Sequence, residues 1–314
     1  MAECKISGAD IARVKGLGCL RDKTTDDCFN VRVITVNGKI TAERARAIAD
    51  AAEKFGSGEV AMTTRQTVEI QRVPYENIEP LREYLGRFGL ETGGTGKKVR
   101  PIVSCKGTTC VFGLIDTFGL SEKIHKKFYQ GYGKLKLPHK FKIAVGGCPN
   151  NCVKPDLNDV GIIGQLVPSF DESLCRGCKK CAVVAACPMG AVALSGERAV
   201  LDTAICNNCG RCLGKCPFGA FANYKVGYRV YIGGRWGKKG ARGIPLTPVF
   251  TSDDEVMAVL EKAILFFKAY GVDGERFADT VARVGFAEAE RIILSDEMIA
   301  RRGEIIKEDM GDIG

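Results

Sequence analysis

The apolar positions in the first 90 residues follow two different periods. Residues 31–36 and 67–73 alternate apolar and polar side chains, as half-buried strands do. Residues 41–55 and 77–88 instead place apolar side chains three and four positions apart, which predicts two helices, the first ended by Gly56. The predicted buried face of that first helix consists of Ala45, Ile48, Ala49, Ala52 and Phe55. This strand, helix, strand, helix order predicts an α+β sandwich with helices on one face of a sheet.

Further apolar runs lie on both sides of a turn-rich segment. Three of these runs have the composition of strands: residues 141–145, 160–163 and 228–232. Ser252 and Glu255 form a capping box, which predicts a helix that extends to Gly271. Between residues 167 and 223, turn residues and cysteines replace these patterns. The sequence therefore predicts a small module inserted into a larger domain, whose two flanks pack together.

The turn-rich segment contains eight of the fifteen cysteines of the chain. Their spacing is C-x2-C-x2-C-x5-C-P followed by C-x2-C-x2-C-x3-C-P, and the second run matches two-cluster ferredoxins, in which the fourth cysteine binds the other cluster. If the fourth cysteine of each run binds the cluster of the other run, the sequence predicts two 4Fe-4S clusters. One is bound by Cys175, Cys178, Cys181 and Cys216, the other by Cys206, Cys209, Cys212 and Cys187. The alternatives are zinc sites, whose cysteines usually come in pairs, and a disulfide framework, which is typical of small secreted chains.

Four more cysteines form two pairs outside that segment, Cys105 with Cys110 and Cys148 with Cys152. Two such pairs can hold one further 4Fe-4S cluster, and the glycines beside them allow the backbone to approach it closely. The alternatives are a zinc site or four buried thiols. The last three cysteines, Cys4, Cys19 and Cys28, are predicted to be buried thiols or, as a second possibility, part of an N-terminal segment that contacts a cluster.

Composition and charge narrow the setting of the protein. The chain has 314 residues, of which 45% are hydrophobic and 26% charged, so it can form sizeable cores without cysteine crosslinks. It has neither an apolar signal region near its start nor a membrane-spanning apolar run, which predicts a cytoplasmic protein. The net charge of +9 is scattered and the aromatic content is 8%, which favours an anionic substrate or cofactor over nucleic acid.

Several segments together resemble the siroheme-containing sulfite and nitrite reductases. The resemblance lies in Gly-Gly-Cys-Pro-Asn-Asn-Cys at residues 146–152, Thr-Thr-Arg-Gln-Thr at 63–67, Leu-Pro-His-Lys-Phe-Lys at 137–142 and Gly-Glu-Arg-Phe-Ala-Asp-Thr at 274–280. The layout is similar to the short anaerobic type of this family, a single reductase repeat with a two-cluster 4Fe-4S ferredoxin domain inserted. The resemblance implies a ferredoxin-like half at residues 1–90, a siroheme and 4Fe-4S region at 91–166, the ferredoxin domain at 167–223 and the rest of the siroheme domain at 224–314.

The cofactors follow from the resemblance. It implies a siroheme whose iron is bridged to a 4Fe-4S cluster by the Cys152 thiolate, in addition to the two clusters of the insert. The chain has two histidines, His125 and His139, so a histidine-ligated haem has few candidates. The carboxylates of the macrocycle need cationic and polar partners, and the implied siroheme-binding residues are Arg65, Thr63, Gln66, Thr108 and Asn150. A basic loop either adds to this binding or is solvated; it comprises Arg235, Lys238, Lys239 and Arg242.

The same resemblance implies a set of active-site cations. Lys140 and Lys142 match the lysine pair of the family, and Arg100 and Arg32 match active-site arginines. Because residues two apart on a strand face the same way, both lysines should point together while Phe141 points into the core. A second arginine is common two residues after Arg32, where this chain has Ile34. A second departure is the first cysteine pair, which is separated by four residues where five are common.

The implied activity is the six-electron reduction of sulfite to sulfide. Nitrite reduction is the near alternative, and a non-catalytic electron-transfer subunit is an alternative that the Ile34 position favours. The chain has no Gly-x-Gly-x-x-Gly nucleotide motif, so the electrons are expected from an external flavin or iron–sulfur subunit or a ferredoxin. Since a single repeat is present, a homodimer or a pair with a homologous subunit is expected, in which Lys140 and Lys142 serve the neighbouring siroheme.

Overall fold

A computed structural model describes residues 6–311, so Cys4 lies outside the described residues. The helices are α1 Gly8–Gly16, α2 Ala42–Phe55, α3 Ile78–Gly86, α4 Thr117–Ile124, α5 Ala182–Ala186, α6 Asp253–Tyr270, α7 Phe277–Val284, α8 Phe286–Leu294, α9 Glu297–Ala300 and α10 Arg302–Met310. The strands are β1 Cys19–Arg21, β2 Cys28–Val33, β3 Val60–Met62, β4 Val68–Pro74, β5 Val103–Ser104, β6 Ile143–Gly146, β7 Val160–Pro168, β8 Val192–Ser195, β9 Arg198–Leu201, β10 Tyr224–Ile232 and β11 Ile244–Phe250. They form sheets in the orders β1-β2-β4-β3, β11-β10-β7-β6-β5 and β8-β9.

The predicted α+β class is confirmed, and the N-terminal sandwich shows why the pattern produces it. On β2, Phe29, Val31 and Val33 are buried, while the residues between them are only partly buried. The buried side chains pack in one core with Ile48 of α2 and Leu81 of α3. Because successive side chains of a strand point to opposite faces, the other face of β2 stays available for polar residues such as Arg32.

The first long helix is found where it was predicted, but its buried face differs from the predicted one. Thr41 caps α2 by accepting a hydrogen bond from the Arg44 backbone N–H at 3.2 Å. The buried residues are Ala47, Ile48, Ala51 and Ala52, whereas Ala45 and Ala49 are exposed. Alanines occupy both faces of this helix, so the apolar spacing alone assigned two of them to the wrong face.

Several predicted strands differ from the observed ones in their bounds. The strand predicted at 31–36 begins and ends earlier, and Val36 has a φ of 67°, which an extended strand does not allow. Phe141 precedes β6 and forms an isolated parallel bridge with Val99 instead of a ladder. Strands β7 and β10 are longer than predicted because they pair with each other over nine residues. The capping box of α6 is confirmed, since Ser252 and Glu255 exchange hydrogen bonds.

The chain divides into two compact units. Among the described residues, the first comprises 6–104, 121–143 and 261–311, and the second comprises 105–120 and 144–260. The first unit contains a second core besides the sandwich, in which Phe141, Phe267 and Phe277 are fully buried. Phe141 and Phe267 each meet Phe277 edge to face, with ring centroids 5.1 and 5.5 Å apart.

The second unit contains the antiparallel pair of β7 and β10 and the cysteine-rich insert. The insert has a small core of its own, formed by Val183, Val192, Ala199, Cys212, Ala220 and Phe221. At the edge of this core, Phe170 stacks on Phe221 with ring centroids 4.8 Å apart. The insert therefore packs around few apolar side chains, several of them next to cysteines.

None of the helices in residues 6–311 combines the length and the apolar character that a membrane crossing requires.

A buried carboxylate links three elements of the first unit, and its removal should destabilise the fold. Glu261 accepts a hydrogen bond from Tyr132 at 2.5 Å and ion-pairs with Lys127 at 2.6 Å and Arg302 at 3.0 Å. We expect Glu261→Gln to lower the free energy of unfolding by about 2–3 kcal/mol, the usual cost of losing hydrogen bonds to a buried charge. Urea unfolding measures this loss. Glu304→Gln, which removes an exposed carboxylate paired with Arg301, is the control and should cause no measurable change.

The contribution of Glu261 to the free energy of unfolding should depend on pH. Burial alone would raise the pKa of Glu261, but the hydrogen bonds from Lys127 and Tyr132 outweigh it and lower this pKa below its ordinary value of 4.5. A carboxylate with a lowered pKa stabilises the fold above its ordinary pKa and loses that effect as the pH falls through the lowered value. The difference between the wild type and Glu261→Gln should therefore be constant above pH 4.5 and shrink below it. A difference that grew on acidification would contradict this assignment.

Candidate cofactor and anion-binding sites

Three of the predicted active-site cations lie together in the first unit. The bridge between Val99 and Phe141 is parallel, with the Arg100 N–H 2.8 Å from the Phe141 carbonyl. Val99 and Phe141 are buried, and Arg100, Lys140 and Lys142, on either side of them, are partly buried. The predicted alternation is thus present, and the bridge places Arg100 beside the lysine pair.

Arg32 is held differently from Arg100. It lies opposite Glu69 in the register of β2 and β4, and its Nε and Nη2 donate to one Glu69 carboxylate oxygen at 3.0 and 2.5 Å. Both arginines also donate to the Gly94 carbonyl, Arg32 through Nη1 at 3.1 Å and Arg100 through Nη1. Burial, and then the charge of Arg32, lower the pKa of Arg100 to about 10. The charge of Arg32 is therefore compensated by a carboxylate, whereas that of Arg100 faces another cation.

The turn between β3 and β4 presents Arg65. Its guanidinium donates to the carbonyls of Pro101 and Ile143, the second at 3.3 Å. Thr63 accepts the N–H groups of Arg65 and Thr67, and the Gln66 amide makes two hydrogen bonds to the backbone of Ser104. Thr63 and Gln66 were predicted to bind a cofactor, yet in the structure their polar groups shape and anchor the turn that carries Arg65.

His139 lies next to the lysine pair. Its Nδ1 accepts the backbone N–H of Lys140 at 2.7 Å. Burial lowers the pKa of His139, and the neighbouring charges of Arg276, Lys140 and Arg100 lower it further. Burial and these cations both disfavour the protonated imidazole, and the hydrogen bond to Nδ1 fixes the backbone at Lys140.

The two cysteine pairs outside the insert are brought together by glycines in the second unit. A Cβ added to Gly147 would lie 2.8 Å from the Gly107 Cα, and one added to Gly107 would lie 2.9 Å from the Gly147 Cα. Neither position can carry a side chain without moving these loops apart. The Gly147 N–H also points at the Cys105 Sγ, 3.1 Å away. The glycines beside the cysteines therefore permit the close approach that the sequence indicated.

The four thiols of these pairs are close enough to influence one another. Burial raises the pKa of Cys148, and the thiols of Cys105, Cys152 and Cys110 raise it further. Cys152 is exposed, unlike the other three, and so is Asn150. Cys152 is thus the thiol of these four that a bound group could reach most easily.

Thr108, which was predicted to bind the cofactor, has other contacts. Its hydroxyl donates to Asp116 at 2.7 Å and accepts the Phe118 N–H at 2.9 Å. The Thr117 hydroxyl beside it donates to the Cys105 carbonyl at 2.8 Å. Thr108 thus fastens the loop of the first cysteine pair to the start of α4.

In the insert, the structure places Cys187 with the cysteines of the second run. Burial raises the pKa of Cys212 to about 11, with contributions from the thiols of Cys206, Cys209 and Cys187. These four cysteines also line one small cavity, together with Pro188 and Met189. Cys175, Cys181 and Cys216 pack at the edge of the small core of the insert. If each cysteine run supplies its fourth ligand to the other cluster, Cys187 must lie near Cys206, Cys209 and Cys212, as it does here.

Backbone N–H groups are aimed at several of these sulfurs. The Ala199 N–H is 3.4 Å from the Cys175 Sγ, and the Asn208 N–H is 3.4 Å from the Cys206 Sγ. Burial alone would raise the pKa of Cys187, but the N–H groups of residues 189–192 outweigh it and lower this pKa. Such donors favour a thiolate, the form that binds iron, and hydrogen bonds to sulfur also set the potential of a cluster. The cysteine sets therefore fit 4Fe-4S clusters.

Within residues 6–311, no three His, Cys, Asp or Glu side chains converge on a point where one metal ion could bind. Each thiolate of a 4Fe-4S cluster binds a different iron, so the four ligands stand farther apart than the ligands of one zinc ion. Cysteines that do not converge on one point are therefore compatible with such a cluster.

The basic residues of the loop after β10 differ in their contacts. Arg242 pairs with Asp156 at 2.5 Å, and Asp156 also accepts a hydrogen bond from Asn151 at 2.9 Å. Lys238 and Lys239 are exposed. Arg242 is thus connected through Asp156 to the loop between Cys148 and Cys152.

The structure adds residues that the sequence patterns did not single out. Glu69 and Gly94 hold the arginines, and the Tyr129 hydroxyl accepts the Gly94 N–H at 3.0 Å. Only the register of β2 and β4 would have pointed to Glu69, and no pattern in the sequence points to Tyr129. Cys19 is fully buried, as predicted for a structural thiol, and Cys28 is partly buried.

Two family models match the chain. The nitrite and sulphite reductase 4Fe-4S domain matches residues 95–299, and the nitrite/sulfite reductase ferredoxin-like half domain matches residues 21–88.

Among curated proteins, a coenzyme F420-dependent sulfite reductase of Methanocaldococcus jannaschii is 32% identical over 270 residues, covering 85% of this chain and 42% of that protein. The chain therefore spans less than half the length of this relative. A subunit of the anaerobic sulfite reductase of Salmonella typhimurium is 30% identical over 250 residues, covering 74% of this chain and 72% of that one. The crystal structure of dissimilatory sulfite reductase I is similar with a TM-score of 0.68 at 24% identity, covering 84% of this chain and 68% of that chain, and this likeness shows the fold.

The place of Cys187 in the insert can be tested by its removal. If Cys187 binds a cluster together with Cys206, Cys209 and Cys212, Cys187→Ala should lose one of three clusters, or about a third of the cluster iron. Iron and acid-labile sulfide analysis of the anaerobically purified protein measures this loss. Cys28→Ala, which changes a partly buried thiol of the first unit, should keep the full content. Full iron content in Cys187→Ala would contradict the assignment.

Proposed function

The chain belongs to the nitrite and sulphite reductase family, and on that basis we propose that it is a siroheme-dependent sulfite reductase. The proposed reaction is the six-electron reduction of sulfite to sulfide. The observation that carries the proposal is the partly buried row of Arg100, Lys140 and Lys142, beside the bridge between Val99 and Phe141. The names of the relatives, each called a sulfite reductase, support the same substrate.

The cations of this row suit the chemistry of an oxyanion. Sulfite arrives with negative charge and loses its oxygens as water, so the reaction needs positive charge for binding and protons for the departing oxygens. In the proposal, Arg100 binds the anion, and Lys140 and Lys142 hold it and supply protons from their ammonium groups. Arg32 donates to the same Gly94 carbonyl as Arg100, and its own charge is compensated by Glu69.

The residues that the resemblance assigns to the cofactors have the chemistry that these groups need. Siroheme supplies an iron that binds the substrate and receives electrons, and Cys152 would be its thiolate ligand, shared with a cluster on Cys105, Cys110 and Cys148. Arg65 would pair with carboxylates of the macrocycle, as a guanidinium does with two parallel hydrogen bonds. Thr63 and Gln66 contribute by fixing the turn of Arg65, Thr108 by fixing the Cys105 loop, and Asn150 is exposed beside Cys152.

The insert would act as the electron entry. Its two 4Fe-4S clusters, on the exchanged cysteine sets, would pass electrons from a separate flavin or iron–sulfur protein or a ferredoxin. The Salmonella relative is by its name one part of a larger enzyme, which supports a partner chain here as well. We infer that the chain works as a homodimer or with a homologous subunit, in which Lys140 and Lys142 serve the neighbouring siroheme.

Nitrite reduction and a purely electron-carrying role are the competing functions, and the apolar Ile34 motivates both. Ile34 is buried, with 3% of its surface exposed, so it adds no charge to the anion site. An anaerobic visible spectrum decides between these functions. Siroheme bands that shift on sulfite addition to the reduced protein, with sulfide released, support the reductase. Bands that respond to nitrite alone indicate nitrite reduction, and cluster absorption without siroheme indicates an electron carrier.

Removal of one lysine should separate turnover from electron entry. We expect Lys142→Met to lower sulfide production by about 100-fold or more, the usual effect of losing a charged group that stabilises the transition state. Cluster content and dithionite reduction of the clusters, followed by EPR, should be unchanged. Lys134→Met, which changes an exposed lysine in the loop before residue 135, should retain wild-type turnover. Wild-type sulfide production by Lys142→Met would show that the lysine pair is not catalytic.

A further inference from the structure

One backbone carbonyl connects the two arginines to the rest of the first unit. Gly94 presents its oxygen to the Nη1 atoms of both Arg32 and Arg100. Residues 91–94 reach this position by running along the end of β2, since the Ile34 N–H donates to Glu91 and the Gly93 N–H donates to Arg32. The Gly94 carbonyl therefore helps to place both guanidinium groups, although Arg32 is also held by Glu69.

The two glycines of this turn leave no room for side chains. Gly94 has a φ of 75°, and a Cβ there would lie 2.8 Å from the Pro101 Cγ. A Cβ on Gly93 would lie 2.5 Å from the Tyr129 hydroxyl. Both values are shorter than a carbon contact allows, so the turn fits closely between Pro101 and Tyr129.

Tyr129 is the side chain that fixes this turn. Its hydroxyl accepts the Gly94 N–H at 3.0 Å, which fixes the peptide between Gly93 and Gly94, directly before the one that contains the Gly94 carbonyl. Burial raises the pKa of Tyr129 to about 12, so the phenol keeps its proton at pH 7. The Tyr129 ring stacks on His125 with centroids 4.8 Å apart, and the His125 Nε2 is 3.6 Å from Glu91. Tyr129 is thus supported by His125, which itself contacts Glu91 at the start of the segment that leads to Gly94.

The backbone that carries Tyr129 is unusual. Residues His125–Gln130 form a π-helical turn that follows α4. π-helical turns are rare and occur frequently at functional sites, because the extra residue per turn changes the direction of the side chains. Here the turn includes both His125 and Tyr129.

The two arginines are not equivalent as anion ligands. Arg32 donates its Nε and Nη2 to Glu69, whereas the Arg100 Nε is buried and has no hydrogen-bond partner among the described residues. A buried guanidinium with an unused donor is a site that an anion can complete. The hydrogen bond from Arg100 to Gly94 locates this guanidinium.

We propose that Tyr129 is a positioning residue for oxyanion binding, because it holds the backbone N–H of Gly94, the residue whose carbonyl locates Arg100. The inference rests on the proposed function, since it needs Arg100 to bind the substrate anion. Tyr129 does not touch the anion in this account and acts only through the turn and the guanidinium.

The test compares an anion with a neutral ligand in the holoprotein. Tyr129→Phe should raise the KM for sulfite about 3- to 10-fold, as expected from the loss of one hydrogen bond, with a smaller change in kcat. Carbon monoxide binding to the reduced siroheme should be unchanged, because this ligand has no charge. Tyr132→Phe, which removes a buried phenol three residues away that is bonded to Glu261, is the matched control and should leave the KM for sulfite unchanged.

A double-mutant cycle shows whether Tyr129 acts through Arg100. In the Arg100→Ala background, Tyr129→Phe should add little further loss, because the group it positions is gone. Additive losses, an unchanged KM in Tyr129→Phe, or equal weakening of carbon monoxide and sulfite would overturn the inference alone. A wild-type protein that contains siroheme but does not respond to sulfite would overturn the proposed function, and the inference with it.

Discussion

The burial of Phe141 is the constraint on which the cationic row of the first unit depends. Its ring is fully enclosed and meets Phe277 edge to face, so the segment around it cannot rotate without opening an aromatic core. Because side chains of an extended segment alternate, Lys140 and Lys142 must then point the other way. The bridge to Val99 brings Arg100 to the same row. An apolar contact thus holds three positive charges close together in spite of their mutual repulsion.

A different constraint organises the second unit, where the backbone rather than a side chain sets the geometry. Gly107 and Gly147 lie in contact, and this contact brings the loops of two cysteine pairs to one place. The Asn151 backbone has a φ of 56°, a left-handed conformation that asparagine tolerates better than most residues. The loop between Cys148 and Cys152 can therefore turn tightly, and the Asn151 side chain fastens it to Asp156.

The sequence predicted those features that depend on local pattern or on spacing. The α+β class, the position of α2, the capping box of α6 and the alternation around Phe141 all follow from residues close together in the chain. The prediction failed where distant contacts decide, as in the alanines of α2, whose buried face depends on the strand beneath it. Helices α7 to α10 were not predicted, although they supply Phe277 and Arg302. The contacts of Gly94 with Tyr129 and both arginines could not be predicted, because they join residues that are far apart in the sequence.

The small core of the insert bears on how this part of the chain acquires its structure. Six buried side chains are few for a segment of this length, and such segments usually need covalent or metal crosslinks to fold. Cys187 lies beside the second cysteine run, so a cluster bound there would close a loop through residues 187–206. Loop closure removes conformational entropy from the unfolded chain, as a disulfide does, and metal binding then becomes part of the folding free energy. If the insert needs its clusters to fold, iron–sulfur delivery in the cell would come before the final folding of the insert and would not fill a finished site.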